Sequence, residues 1–206
     1  WFFRRYPGVF DICCYTGTGA ARTVPHNLGV APELMIVKQR NSGGYNWMVY
    51  SAALLASEFL MLNQTNAKGS APTLWNSTAP SASAFNLGMG VDVNASGNTY
   101  VAYLFASLDG ISRVGSYVGN GSSQTIDCGF TTGARFVLIK NASATSDWFV
   151  MDTVRGISSG VEPLLRLNST AAENSGDILS PNASGFTLAS ASLNTAGQTF
   201  IYLALA

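Results

Sequence analysis

Charge is scarce in this chain. Asp, Glu, Lys and Arg make up 11% of its 206 residues, against about 25% in an ordinary soluble domain. The 11 basic and 11 acidic residues cancel. The dense cationic footprint that nucleic acid demands is therefore missing, and so is a polybasic membrane contact. His26 is the single histidine. Of the three cysteines, Cys13 and Cys14 are neighbours and Cys128 stands apart. Adjacent cysteines rarely bridge each other without strain, and three make no zinc set, so free thiols buried in strands are expected. No apolar run approaches the ~20 residues of a membrane helix, and no heptad pattern is sustained. At 47% apolar the chain is too hydrophobic for disorder and long enough to bury a core. Abundant Ser, Thr and Asn beside 21 glycines suggest a β-rich protein on the outside of something. The sequence opens on Trp1 with no charged-then-apolar leader, so a fragment or processed form of a longer chain is expected.

An internal repeat organises the rest. Glu33-Leu34-Met35-Ile36-Val37-Lys38, followed by Asn46-Trp47-Met48-Val49, is answered by Arg135-Phe136-Val137-Leu138-Ile139-Lys140 and Asp147-Trp148-Phe149-Val150. The offset is 102 at the lysines and 101 at the tryptophans. Tyr15-Thr16-Gly17-Thr18-Gly19 matches Tyr117-Val118-Gly119-Asn120-Gly121, and Leu62-Asn63-Gln64-Thr65 matches Leu167-Asn168-Ser169-Thr170. Phe85-Asn86-Leu87 answers Phe186-Thr187-Leu188, and the segment 94–101 answers 194–201. Matches in one order with small shifts imply two units of roughly a hundred residues.

Within each unit the apolar runs are short, rich in β-formers, bounded by Gly, Asn and Ser, and recur every ~8–12 residues, the pattern of a sandwich or barrel. The expected fold is all-β: two tandem, internally duplicated antiparallel β-sandwich units of jelly-roll or lectin-like character. The boundaries read as a connecting segment at 1–12, repeat 1 at 13–106, a linker at 107–113 and repeat 2 at 114–206. Strands are expected at 10–15, 34–39, 47–50, 59–62, 84–87 and 99–105, and again at 115–118, 136–140, 148–151, 164–167, 185–188 and 199–205. Ser51–Ala56 and Thr170–Glu173 could each form a helical turn, and Gly97 and Gly197 supply positive φ in hairpin turns. Leu34-Met35-Ile36-Val37 and the run 200–205 are apolar on both faces, where a half-buried strand alternates. Burial of the outer face in an assembly is expected.

Chemistry is harder to find. Glycoside hydrolysis needs paired carboxylates, and the acidic residues here are scattered; Asp152 with Arg155 and Gly156 reads as a structural turn. His26 lies in a loop without a matching histidine in the second unit, and no Gly-x-Ser-x-Gly elbow is present, so a backbone-bonded loop histidine is expected. The Gly-x-Gly at Gly17–Gly19 lacks the Lys-Ser/Thr of a phosphate loop, and no acidic loop has calcium-hand spacing. No catalytic residue, metal or cofactor is assigned. Asn-x-Ser/Thr triplets begin at Asn63, Asn76, Asn94, Asn120, Asn141, Asn168 and Asn182, and turn chemistry accounts for them. Trp47 and Trp148 are assigned to the core. Loop-adjacent Trp75, Asn76 and Tyr45 are the candidate glycan contacts, an indole or phenol face for the sugar ring and an amide for its hydroxyls.

The stretches Tyr15–Gly19, His26-Asn27-Leu28-Gly29-Val30-Ala31-Pro32-Glu33 running into Leu34–Lys38, Trp75-Asn76-Ser77-Thr78-Ala79-Pro80 and 97–103 carry a resemblance. So do Gly129-Phe130, Phe136–Lys140, Asp152-Thr153-Val154-Arg155-Gly156 and the closing 199–206. From about Arg5 onward the chain resembles repeats of tail and virion-structural proteins of tailed, marine or cyanobacterial bacteriophages, similar to domains of unknown function with lectin- or SPRY-like sandwich character. The resemblance implies further repeats on the N-terminal side, no enzyme activity and no site residues to carry over. It implies a location: a virion tail fibre or other external appendage, with a capsid decoration or head fibre as the alternative. The implied partners are copies of the same chain, a trimer by analogy, and other virion proteins, with host surface polysaccharide as ligand if the module binds a receptor. Neither nucleic acid nor membrane insertion is expected.

Overall fold

A computed structural model describes residues 4–206. They fall into two compact units. The first holds the described residues up to Asn63 and Lys68–Ser107; the second holds Leu108–Ala206 together with Gln64–Ala67.

The first unit runs β1 (Phe10–Thr16), β2 (Arg22–Pro25), β3 (Leu34–Gln39), β4 (Met48–Ser51), β5 (Glu58–Met61), β6 (Gly69–Ser70), α1 (Pro72–Trp75), β7 (Ala84–Leu87), α2 (Val91–Asn94) and β8 (Thr99–Phe105). Its main sheet has the order β1-β8-β3-β4-β5-β6, antiparallel throughout, and β2 pairs with β7 in a small second sheet. The second unit runs β9 (Ser112–Val118), β10 (Gln124–Asp127), β11 (Phe136–Asn141), β12 (Trp148–Asp152), β13 (Glu162–Arg166), β14 (Asn174–Gly176), β15 (Leu179–Asn182), β16 (Gly185–Leu188), a 3₁₀ turn at Ala191–Leu193 and β17 (Thr199–Leu205). Its main sheet, read from the other edge, is β9-β17-β11-β12-β13-β14, with β10-β16-β15 as the second sheet. Each main sheet thus places the unit's first strand beside its last, followed by the third to the sixth. In register, Lys38 faces Val101 and Ile36 faces Tyr103, while Lys140 faces Ile201 and Leu138 faces Leu203.

The alternation of strands explains the two cores. Met35 and Val37, Met48 and Tyr50, and Tyr100, Ala102 and Leu104 point to one face of the first main sheet. They meet Val24, Leu28, Trp75, Phe85, Leu87 and Val93. In the second unit Val137, Ile139, Met151, Phe200 and Tyr202 meet Ile126, Phe130, Leu179, Phe186 and Leu188. Each such side chain contributes about 1.5–3 kcal/mol on burial. The opposite faces are apolar too, as the sequence suggested: Leu34, Val49, Leu60 and Leu203 on them are 1–2% exposed.

Other boundaries also differ from expectation. β1 opens at Phe10, taking in the end of the 1–12 segment, and β9 opens at Ser112, inside 107–113. Neither Ser51–Ala56 nor Thr170–Glu173 is helical. The helical turns are α1, where Pro72 presets φ at the first position, and α2. Gly97 and Gly197 do carry positive φ, +78° and +76°.

Candidate functional site

Most polar side chains that look available in the sequence hold the backbone together. Asn94 is fully buried; its Oδ1 accepts the Thr18 amide at 3.0 Å and its Nδ2 donates to Ala20 and Gly88 carbonyls, each at 2.7 Å. Asn194, 1% exposed, repeats the arrangement: Oδ1 accepts from Asn120 N at 3.0 Å, and Nδ2 donates to Asn120 Oδ1 and to Ser122 O. Asn63 and Asn168 each accept the amide of a tryptophan, Trp47 and Trp148. Tyr15 and Tyr117 donate their hydroxyls to Val93 and Leu193 carbonyls. Burial, the largest cause in each, raises both phenols.

The carboxylates are engaged in the same way. Asp11 accepts the Asn27 amide at 2.8 Å and pairs with Arg5. Glu33 accepts the Ser107 amide at 2.7 Å and its hydroxyl. Asp152 accepts the Val154 and Arg155 amides and pairs with the Arg155 guanidinium, the turn expected from the sequence. Glu162, fully buried, accepts the Ile178 and Leu179 amides; burial raises its carboxyl, while those two amides partly oppose the shift. His26 accepts the Leu28 amide on Nδ1 at 3.2 Å, so Nε2 carries the proton and donates to Ser81 O at 3.2 Å. Among the described residues no cluster of three His, Cys, Asp or Glu side chains could hold a metal.

One of the three candidate glycan residues lies elsewhere than expected. Trp75 is 0% exposed. The one-turn α1 swings its indole into the first core, where Nε1 donates to Glu58 O at 3.1 Å and the ring meets Tyr50 edge-on. It cannot stack on a sugar. Asn76, in the left-handed region at φ 53°, ends α1 as an exposed cap. Tyr45 is half-buried, and its carbonyl accepts the Lys38 ammonium.

That ammonium marks the site the sequence reading missed. An open hollow of about 710 Å³ on the outer side of the first main sheet is lined by Lys38, Gln39, Arg40, Asn41, Trp47 and Tyr103, among others. Trp47, assigned to the core from its match with Trp148, is half-buried here. Its ring lies 14° from parallel to Tyr103, with centroids 6.5 Å apart, and Lys38 Nζ sits 5.9 Å from the indole centroid. Gln39 is 2% exposed, and its Oε1 has no hydrogen-bond partner. Asn41 accepts the Thr99 amide and receives Gln39 Nε2 at 3.3 Å on the same oxygen. That fixes which end of the Gln39 amide is unsatisfied.

The corresponding face of the second unit is closed. Lys140 is fully buried and donates to the carbonyls of Thr65, at 2.8 Å, and Ser146. Trp148 is 1% exposed. Asn141, at the position of Gln39, accepts the Ser143 and Ala144 amides on Oδ1 and donates from Nδ2 to Gln198 Oε1. Leu203 stands where Tyr103 does. A smaller hollow of about 340 Å³ in this unit, lined by Arg135, Thr153 and Asn182 among others, offers no aromatic surface.

The fold and these contacts define an all-β protein of antiparallel sandwich type. Residues 7–206 match a domain of unknown function, DUF7483, and the chain belongs to that family. No curated protein matches it, and no solved structure does.

Proposed function

We propose that this chain is a non-enzymatic structural component of a bacteriophage virion, part of a tail fibre or another external appendage, with capsid decoration or a head fibre as the alternative placement. The observation that carries the non-enzymatic part is the use of its acidic side chains. Asp11, Glu33, Asp152 and Glu162 each accept backbone amides, so they stabilise turns rather than face a substrate. The virion location rests on the resemblance of the repeats, and self-association as a trimer rests on analogy with phage fibres.

Labelling of purified particles with gold-conjugated antibody raised against the chain tests the location. Gold on a tail or head appendage is the expected outcome, and unlabelled particles beside labelled free protein would overturn it. A second reading, recognition of host surface polysaccharide, is favoured by the open hollow with half-buried Trp47 and Tyr103.

A further inference from the structure

We infer that the open hollow of the first unit seats the segment 169–172 of a second copy of this chain, with the Thr170 carbonyl of one copy accepting the Lys38 ammonium and the Tyr45 amide of the next. The inference names a contact for the proposed self-association and makes no use of the virion location, so either can fail alone. It rests first on the same contact made inside the second unit, which takes in Gln64–Ala67. There the Lys140 ammonium and the Ser146 amide both donate to Thr65 O, each at 2.8 Å, and Lys140 also donates to Ser146 O. In the first unit Lys38 keeps the donation to its own loop, at Tyr45 O. Among the described residues no carbonyl stands in the place of Thr65 O, and the Tyr45 amide has no acceptor. One carbonyl oxygen serves both donors.

The second support is the segment that can supply it. Thr65 follows Asn63, which accepts the Trp47 amide on Oδ1 and donates from Nδ2 to Asn46 Oδ1. Thr170 follows Asn168, which accepts the Trp148 amide and donates to Asp147 Oδ1 in the same way. The two segments therefore leave their sheets from the same anchor. Ala67 is half-buried in the seated segment, whereas residues 169–172 are all exposed, and among the described residues the Thr170 carbonyl accepts no hydrogen bond. Charge points the same way. The seated segment runs into Lys68, and the closed unit has Ala142 two residues beyond Lys140; the free segment runs into Glu173, and the open hollow has Arg40 two residues beyond Lys38. The free pair attracts. Cover over half-buried Trp47 adds apolar burial. A segment given by one surface and received by a different one makes a heterologous contact, which closes as a ring or runs on as a row. In a row the leading copy keeps its hollow free, and there polysaccharide has access to Trp47; elsewhere a saturating saccharide competes with the segment.

Sedimentation equilibrium of the full chain at concentrations up to about 1 mM, the reach of a weak contact, tests this. Self-association that grows with concentration is expected. Lys38→Met removes a donor from the hollow, and Ala171→Lys with Ala172→Lys sets two cations against Lys38 and Arg40. Each variant should lose association about tenfold or more, with a Tm close to that of the native chain. Mixed in equal amounts, the two variants hold one competent pair between them, the segment of the first and the hollow of the second. Dimers should therefore form in the mixture, and nothing larger. A native chain that stays monomeric over the range would overturn the inference, and so would association that survives both variants. Folded variants that lose association and form no dimer on mixing would overturn the head-to-tail contact. A monomeric native chain whose migration in native gels is retarded by polysaccharide through Trp47 would give the hollow to saccharide alone and also overturn it. Gold labelling of particles is independent of all these results.

Discussion

Lys140 and Thr65 lie 75 residues apart in the chain, and the Lys140 ammonium donates to the Thr65 carbonyl at 2.8 Å. The contact closes the face of the second unit that stays open in the first. It also sets up a pH dependence. Burial lowers Lys140 to about 8, with Asp147 partly opposing, whereas an unfolded lysine titrates near ~10.4. Above pH ~8 the folded chain has released a proton that the unfolded chain still holds, so stability rises with pH between about 8 and 10.4. The gain is on the order of 3 kcal/mol. Above pH ~10 Tyr15, Tyr117 and Tyr202, all raised by burial, pull the other way. Cys13 and Cys128, both raised by burial to about 11, oppose the rise from pH ~8.5 upward. The urea midpoint of Lys140→Met should therefore fall between pH 7.5 and 9.5, and the native chain should gain on it over that interval.

The buried asparagines should be among the most sensitive positions. Asn94→Leu leaves the Thr18 amide and two carbonyls, Ala20 and Gly88, without partners. A loss of about 2–4 kcal/mol is expected from chemical denaturation. Asn194→Leu should cost a similar amount, because Asn194 serves Asn120 and Ser122 in the same manner.

Two glycines are fixed by close approach. A Cβ on Gly17 would stand 2.2 Å from Ala95 O, and one on Gly119 would stand 2.2 Å from Thr195 O. Gly17→Ala and Gly119→Ala should each lower stability by about 2–4 kcal/mol. Gly97→Ala meets no atom within 4 Å and pays only for its positive φ, about 1–2 kcal/mol. Thermal unfolding of the three variants should rank them in that order.

The thiols should separate by reactivity. Cys14 is exposed on β1. Burial pushes Cys13 up to about 11, helped by Asp11, and burial likewise pushes Cys128 up to about 11. With an aromatic disulfide reagent at pH 7.5, one thiol should react at an ordinary rate and two about two orders of magnitude more slowly. Cys14→Ser should remove the fast phase alone.

Local pattern carried much of the fold. The runs at Leu34–Gln39, Ala84–Leu87, Thr99–Phe105, Gly185–Leu188 and Thr199–Leu205 are strands with those same limits, because β-branched and aromatic residues bounded by turn formers leave few alternatives. β2 and β10 escaped notice because each buries a single apolar residue, Val24 or Ile126, among exposed neighbours. The site was less legible. Trp75 looks like a loop residue until the Pro72 turn carries it inward. Trp47 and Trp148 are equivalent in sequence, and their different exposure depends on whether residues distant in the chain cover them, as Thr65 covers Lys140. Periodicity does not report that.

Crystals of the chain soaked with an acidic hexasaccharide, a hexagalacturonate, test the claim of one open and one closed face most directly. The account predicts a pyranose ring in van der Waals contact with Trp47, about 4 Å away. A sugar oxygen should lie on the Lys38 ammonium, with no sugar at Trp148. A saccharide bound away from Trp47, or an empty hollow at saturating saccharide, would contradict it.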